Sequence, residues 1–332
     1  MNPDRRALLT AALSWPAAQA RAATVHTVAP GQSLAAALAS ADDGDEIRLL
    51  AGEHIAQVGV IHQRRLRLRG VASTGGRTVL NAGGAHAEGK AILVVRDGDV
   101  QIDDIEFRGC RVPDGNGAGI RFERGRLTLR GCAFFDNQMG LLTGNVSGSE
   151  LTVRGCSFGQ APLAPALAHL LYVGSIARLT VSGSRFGGGR RGHLLKSRAR
   201  SNVVRDNRLV DGPSDSASYE LEFPNGGVAE VVNNVIGQSE HTENRTLLAF
   251  GAEGSDGRPH ALTLAHNTFI NFGQRNAVFV QVFEDRLRAA VERRWINNLC
   301  VGPGQTDALL TDASQGNFAV PLAALQDAQA GR

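Results

Sequence analysis

Three short phrases in the middle of the chain gather side chains that can move protons or grip an anion. They are His169-Leu170-Leu171-Tyr172, His193-Leu194-Leu195-Lys196-Ser197-Arg198 and Tyr219-Glu220-Leu221-Glu222. His169 to His193 and Tyr172 to Lys196 are both separations of 24 residues. The third phrase follows 26 or 27 residues on, which sets Tyr219 or Glu220 beside His193 and Glu222 or Phe223 beside Lys196. Lysine occurs only at Lys90 and Lys196, and the two tyrosines of the chain are Tyr172 and Tyr219. Scarce residue types therefore coincide at one interval.

The chemistry that suits this set is elimination from a uronate. A proton next to a carboxylate must be removed, and the 4-linked oxygen must be protonated or released. That proton is weakly acidic until the carboxylate charge is neutralised. Arg198 suits the neutraliser, because its planar fork grips carboxylates. Lys196 or His193 would be the base; lysine needs its pKa lowered, which cationic neighbours promote. Tyr172 or Tyr219 would be the acid, or a combined acid and base. His169 would orient or assist. Tyr219, Glu220, Glu222, Asn225 and His241 are the candidate substrate contacts. Each also has a bland reading: solvated histidines, a Lys196–Glu222 ion pair, a Tyr219 that covers core, and a His241 that merely belongs to the polar loop 238–245.

Something must bring residues two dozen places apart into contact, and the sequence repeats at that interval. The phrase is an alternating apolar run, then a small or Asn position, one further residue and a large apolar residue. Copies are Leu127–Phe134, Leu151–Phe158, Leu179–Phe186, Val203–Leu209, Val231–Ile236, Leu262–Phe269 and Trp295–Leu299, with a weaker one at Val100–Phe107. The key position steps through Ile105, Cys132, Cys156, Ser184, Asn207, Asn234, Asn267 and Asn297. A coil of three short strands per turn explains such a period, because each turn buries its core only against its neighbours. Stacked Asn side chains would satisfy one another inside it. Cys132 and Cys156 fall on the same ladder, either as buried thiols or as a disulfide between turns. Ser33 as N-cap and the Leu/Ala spacing after it predict a short helix that covers the open end of the coil.

The cap helix, the ladder and about eight turns resemble the right-handed parallel β-helix of the pectate-lyase-like superfamily, over roughly residues 24–310. The resemblance implies an all-β solenoid and a carbohydrate-active role. It spans polysaccharide lyases, glycoside hydrolases, epimerases and non-catalytic surface proteins. A polysaccharide lyase acting on an acidic glycan fits the cationic phrases best. A hydrolase would use Glu220 and Glu222, which as i and i+2 on a strand would share a face, about 6.6 Å apart by strand rise. A C5-epimerase needs the same first proton abstraction. A non-catalytic glycan binder would show more exposed aromatic residues. No cofactor is expected; Ca²⁺ on Glu220 and Glu222, with further oxygens from Asp206, Asp211 and Asp215 nearby, is the weaker alternative, since no loop has its ligand spacing.

Composition sets the frame. The 332 residues carry a net charge of +3, almost all of the positive charge being arginine, with 42% hydrophobic and 5% aromatic residues. That suits an acidic partner without demanding one, and disfavours base stacking on nucleic acid. Arg5-Arg6, the apolar run Ala7–Ala18 and small residues to Ala22 read as an export signal over 1–22, either an ordinary Sec signal or one resembling a twin-arginine leader. No later stretch is long and apolar enough for a membrane span. The expected organisation is a leader at 1–22, a coil over 23–312 and a cap or tail at 313–332, as a periplasmic or secreted monomer.

Overall fold

In the computed structural model the described residues are 22–73, 76–163, 167–255, 257–305 and 312–323. The leader expected at 1–22 lies outside them except for its last residue. Their strands form three all-parallel sheets of 11, 10 and 11 strands. One turn of the coil visits the sheets in order, as in Glu150–Arg154, Ser157–Gly159 and Leu171–Val173, after which Arg178–Ser182 returns to the first sheet. The expected β-helix is therefore present, and every strand partner comes from the turn above or below.

Sharp bends make this possible. The residue that leaves the first sheet is left-handed in turn after turn: Asp104, Gly131, Gly155, Gly183, Asp206, Asn233, His266 and Asn297, with φ from 51° to 60°. Gly, Asn and Asp tolerate that conformation; His266 does so at some cost. The next residue drops into the interior slot. There the amide of Asn207 donates to Asn234 Oδ1 at 3.0 Å, Asn234 to Asn267 at 3.0 Å, and Asn267 to Asn298 at 3.0 Å. Each side-chain oxygen also accepts the backbone N–H of the residue before it on the ladder. The last copy corrects the expectation by one place: Asn298 occupies the slot, and Asn297 is the left-handed corner. Two adjacent asparagines made the register ambiguous from sequence.

Cys132, Cys156 and Ser184 fill the slot in the earlier turns, and all four cysteines are buried free thiols. Those turns are held by aromatic stacking instead. Phe107, Phe134, Phe158 and Phe186 lie face to face, with centroids 5.1, 4.6 and 4.7 Å apart. Aromatic pairs of this kind add about 0.5–1.5 kcal/mol each beyond their buried area.

The N-terminal end of the coil is closed as expected. Helix Leu34–Ser40 starts at Ser33, whose side chain accepts from Ala36 N, and buries Leu34 and Leu38. A Cβ at Gly59 would stand 2.3 Å from Leu38 Cδ1, so a larger residue there would push that leucine side chain aside. The coil continues beyond residue 312. Phe318–Val320 pairs in parallel with Leu299–Val301, and Asn317 takes the next ladder place, accepting from Asn298 at 2.9 Å. Among the described residues, no helix is long and apolar enough to cross a membrane.

Candidate functional site

The site lies on the outer face of the third sheet. Strands Met139–Thr143, Leu171–Val173, Leu195–Ser197, Leu221–Phe223 and Thr246–Phe250 stack there in sequence. Their inward row is Leu141, Leu171, Leu195, Leu221 and Leu248, fully buried. Burying each such leucine contributes about 1.5–3 kcal/mol, and that fixes the register. Alternation then points the intervening residues outward. The outer row reads Leu142, Tyr172, Lys196, Glu222 and Ala249. Bland residues flank three reactive ones, as the sequence suggested.

The register ambiguity resolves to Tyr219 beside His193 and Glu222 beside Lys196. His169, His193 and Tyr219 form a second column, ring centroids 4.7 and 5.0 Å apart, and Tyr172 meets His169 edge-on at 5.3 Å. The backbone N–H of His193 donates to His169 Nδ1 at 2.9 Å, and that of Tyr219 donates to His193 Nδ1 at 3.4 Å. Both imidazoles in their neutral form therefore carry the proton on Nε2. For His193 that atom faces Glu222 Oε2 at 3.0 Å. Burial, then the nearby positive charge of His193, Lys196 and Arg198, holds His169 well below the usual histidine pKa.

Lys196 is where the expectation fails. Burial pulls its pKa down, but Glu222, with Nζ 3.0 Å from Oε2, and Glu253, with Nζ 2.7 Å from Oε1, outweigh burial and hold the amine above its ordinary value. Cationic neighbours do not dominate, so Lys196 stays an ammonium and is not poised as a base. Glu222 is correspondingly a fixed partner rather than an open substrate contact: burial raises its pKa, and His193 and Lys196 more than offset that.

Arg198 sits at the bend just beyond the lysine strand. Ser197 Oγ donates to Asn202 Oδ1 at 2.6 Å and Asn202 Nδ2 donates to Ala199 O at 3.1 Å, which pins that bend from inside. The guanidinium fans out over three partners: Nε donates to Tyr172 Oη at 3.0 Å, Nη1 to Asn225 Oδ1 at 2.7 Å, and Nη2 to Glu253 Oε2 at 2.6 Å. Asn225 in turn donates to Gly254 O at 2.9 Å. Lys196 Nζ and Arg198 Cζ lie 5.8 and 5.7 Å from the centroid of the Tyr172 ring. A phenol, an ammonium and a guanidinium thus share one face.

Two of the expected substrate contacts are elsewhere. Glu220 precedes its strand and turns inward; it is fully buried, and neither carboxyl oxygen has a hydrogen-bond partner. Burial, and then Asp211, pushes its pKa well above the carboxylate range. It does not share a face with Glu222, so the two-carboxylate arrangement of a hydrolase is absent from this row. His241 is exposed and faces Glu240 at 3.6 Å, apart from the His–Tyr column. The aspartates of the Ca²⁺ alternative hold local structure. Asp211 accepts the backbone N–H groups of Gly189 and Ala217, Asp215 those of Gly188 and Gly212, and Asp206 pairs with Arg205 and Asn233. Glu253 is the residue that sequence reasoning missed. Its loop carries no repeat phrase; the available signal was an acid one turn beyond Asn225.

Comparison with known proteins agrees with the coil. A family model described as right handed beta helix region matches residues 90–281. Among solved structures the chain is similar to pectate lyase Pel9A, at TM-score 0.55 and 14% identity, over 80% of this chain and 78% of that one. It is similar at the same TM-score and identity to the PL6 family alginate lyase AlyGC, over 83% of this chain but only 39% of that lyase. DFA-IIIase from Arthrobacter chlorophenolicus A6 without its lid aligns at TM-score 0.43 and 12% identity. No curated protein matches the chain. At these identities the likeness is one of fold.

Proposed function

The chain belongs to the family of right-handed beta-helix proteins, and on that premise we propose that it is an exported polysaccharide lyase that cleaves a uronate-containing glycan by β-elimination. One observation carries the reading. The cations of Lys196 and Arg198 stand beside the phenol of Tyr172, on a face held in register by the leucines beneath it.

In this reading Lys196 and Arg198 neutralise the uronate carboxylate, which acidifies the proton on the neighbouring carbon. Tyr172, as phenolate, takes that proton; the electron pair forms the new carbon–carbon double bond, and the bond to the 4-linked oxygen breaks. The phenol then returns the proton to the departing oxygen, so one residue serves as base and acid in turn. Arg198 Nε points at the phenol oxygen where negative charge collects. His169 and His193 are positioning residues: neutral His169 packs against the Tyr172 ring, and His193 holds Glu222 against Lys196. Asn225 fixes one arm of the guanidinium and offers its amide to sugar hydroxyls. The reading draws carboxylate neutralisation from Lys196 and Arg198 rather than from a metal ion.

The test is a panel of acidic polysaccharides followed by ultraviolet absorbance of the unsaturated uronate product. A lyase raises that absorbance. Reducing ends without the chromophore identify a hydrolase, and inverted sugar configuration with neither identifies an epimerase. Retained activity in EDTA supports the metal-independent form; loss of activity restored by Ca²⁺ overturns it.

A further inference from the structure

Lys196 and Arg198 already hold a carboxylate between them, and it belongs to the protein. Glu253 places Oε1 2.7 Å from Lys196 Nζ and Oε2 2.6 Å from Arg198 Nη2, one oxygen for each cation. Arg198 still reaches Tyr172 and Asn225 with its other nitrogens. A planar carboxylate in this seat is therefore held by the same guanidinium that touches the phenol oxygen.

The two acids on Lys196 differ in kind. The Glu222 side chain is 3% exposed and is also held by His193, whereas that of Glu253 is 42% exposed. Glu222 is a fixture; Glu253 stands at the water's edge. Its backbone is tied down, since Glu253 N donates to Pro224 O at 2.8 Å and Gly251 N donates to Phe223 O at 2.8 Å. Exchange at the seat then needs only a rotamer change of one half-exposed side chain, a fast motion.

We infer that Glu253 is the specificity-determining residue of this site, an internal carboxylate that fills the Lys196–Arg198 seat in the free chain and yields it only to the carboxylate of a bound sugar. The inference rests on the lyase reading for the identity of the incoming group, a uronate. A neutral sugar that displaced Glu253 would leave Arg198 without a carboxylate and Lys196 with Glu222 alone, at a cost in a partly desolvated site. A uronate restores both contacts. The seat therefore rejects uncharged glycans through the cost of emptying it, which is discrimination against the wrong ligand rather than added attraction for the right one. No covalent bond changes; one carboxylate replaces another.

The experiment uses the full chain and D-glucuronate as the probe, with D-glucose as the neutral control, titrated by calorimetry. Glu253→Gln keeps the side chain's size and removes its charge. It is expected to bind glucuronate about tenfold more tightly than the unaltered chain, because an occupied seat weakens apparent affinity in proportion to the fraction of time it is open. Glucose, which also needs the seat emptied, should gain with it, so that the variant no longer rejects the neutral sugar. Glu253→Asp, too short to span both cations, should tighten glucuronate binding in the same direction and serves if the glutamine variant fails to fold. Unchanged or weaker glucuronate binding in a folded variant, or a gain confined to glucuronate, overturns the inference. The absorbance assay on the unaltered chain separates the two claims. Tighter glucuronate binding without an unsaturated product removes the lyase reading and keeps the seat. An unsaturated product without tighter binding does the reverse.

Discussion

Lys196 Nζ lies 3.0 Å from Glu222 Oε2, across one turn of the coil, with both side chains almost wholly buried. Removing Lys196 leaves the buried Glu222 with His193 alone, and removing Glu222 leaves Lys196 with Glu253 alone. Lys196→Met is expected to cost about 3–5 kcal/mol of stability, and Glu222→Gln added to it should recover part of that loss. Thermal melts of both single variants and the double variant measure the coupling. Independent, additive losses would mean the pair does not act as a unit.

Tyr172→Phe removes one oxygen and nothing else from the outer row. Under the lyase reading, turnover should fall by about 10²–10⁴-fold, the range for loss of a positioned acid or base. Stability should change by no more than about 1–2 kcal/mol, the worth of its hydrogen bond to a charged donor. Near-normal turnover in this variant would remove Tyr172 from the chemistry.

Glu220 distinguishes lyase from hydrolase. Its pKa is raised in the folded chain, so between the ordinary value of 4.5 and the folded value the native state binds more protons than the unfolded one. Its contribution to stability is fully present below 4.5 and is lost as pH rises through the folded value. Glu220→Gln should flatten that alkaline decline and leave turnover unchanged. Abolished turnover in a well-folded Glu220→Gln protein would make this carboxyl catalytic.

His169 gives the opposite slope. Its folded pKa is depressed, so below about 6.5 the unfolded chain takes up a proton that the native chain refuses. Stability from this site is therefore present above 6.5 and is lost as pH falls toward the folded value. Denaturant midpoints across this range, for the natural chain and for His169→Asn, check the sign; parallel curves would show that His169 is not the group responsible.

The interior ladder supplies a further contrast. Asn234→Ala removes an amide that donates to Asn267 and accepts from Asn207, and it should cost about 1–3 kcal/mol by leaving buried groups unpaired. Asn297→Gly changes only the left-handed corner beside the ladder and should be nearly neutral. Equal losses in urea melts would contradict the assignment of Asn298, rather than Asn297, to the slot.

How much of this was legible follows from what repeats. The coil, the slot, the cap helix and the outer row of Tyr172, Lys196 and Glu222 all depend on a spacing that recurs, and spacing is visible in a sequence. The register between His193 and Tyr219 was visible only to within one residue, because the bend before Tyr219 has no repeating landmark. The inward turn of Glu220 and the reach of Glu253 were invisible: both are set by the path of single loops. The protonation of Lys196 was misjudged for the same reason. Its cationic neighbours are near in sequence, whereas Glu253, which helps reverse their effect, is 57 residues away.

The interior is cemented in two ways, by stacked phenylalanine rings up to Phe186 and by linked amides from Asn207 onward. The reactive row straddles that seam. Shortening the polypeptide from its far end would peel away amide-linked rungs one at a time and leave the aromatic segment standing. The anionic clasp would open first, when the rung bearing residue 253 departs, while the phenol and ammonium were still mounted on an intact wall.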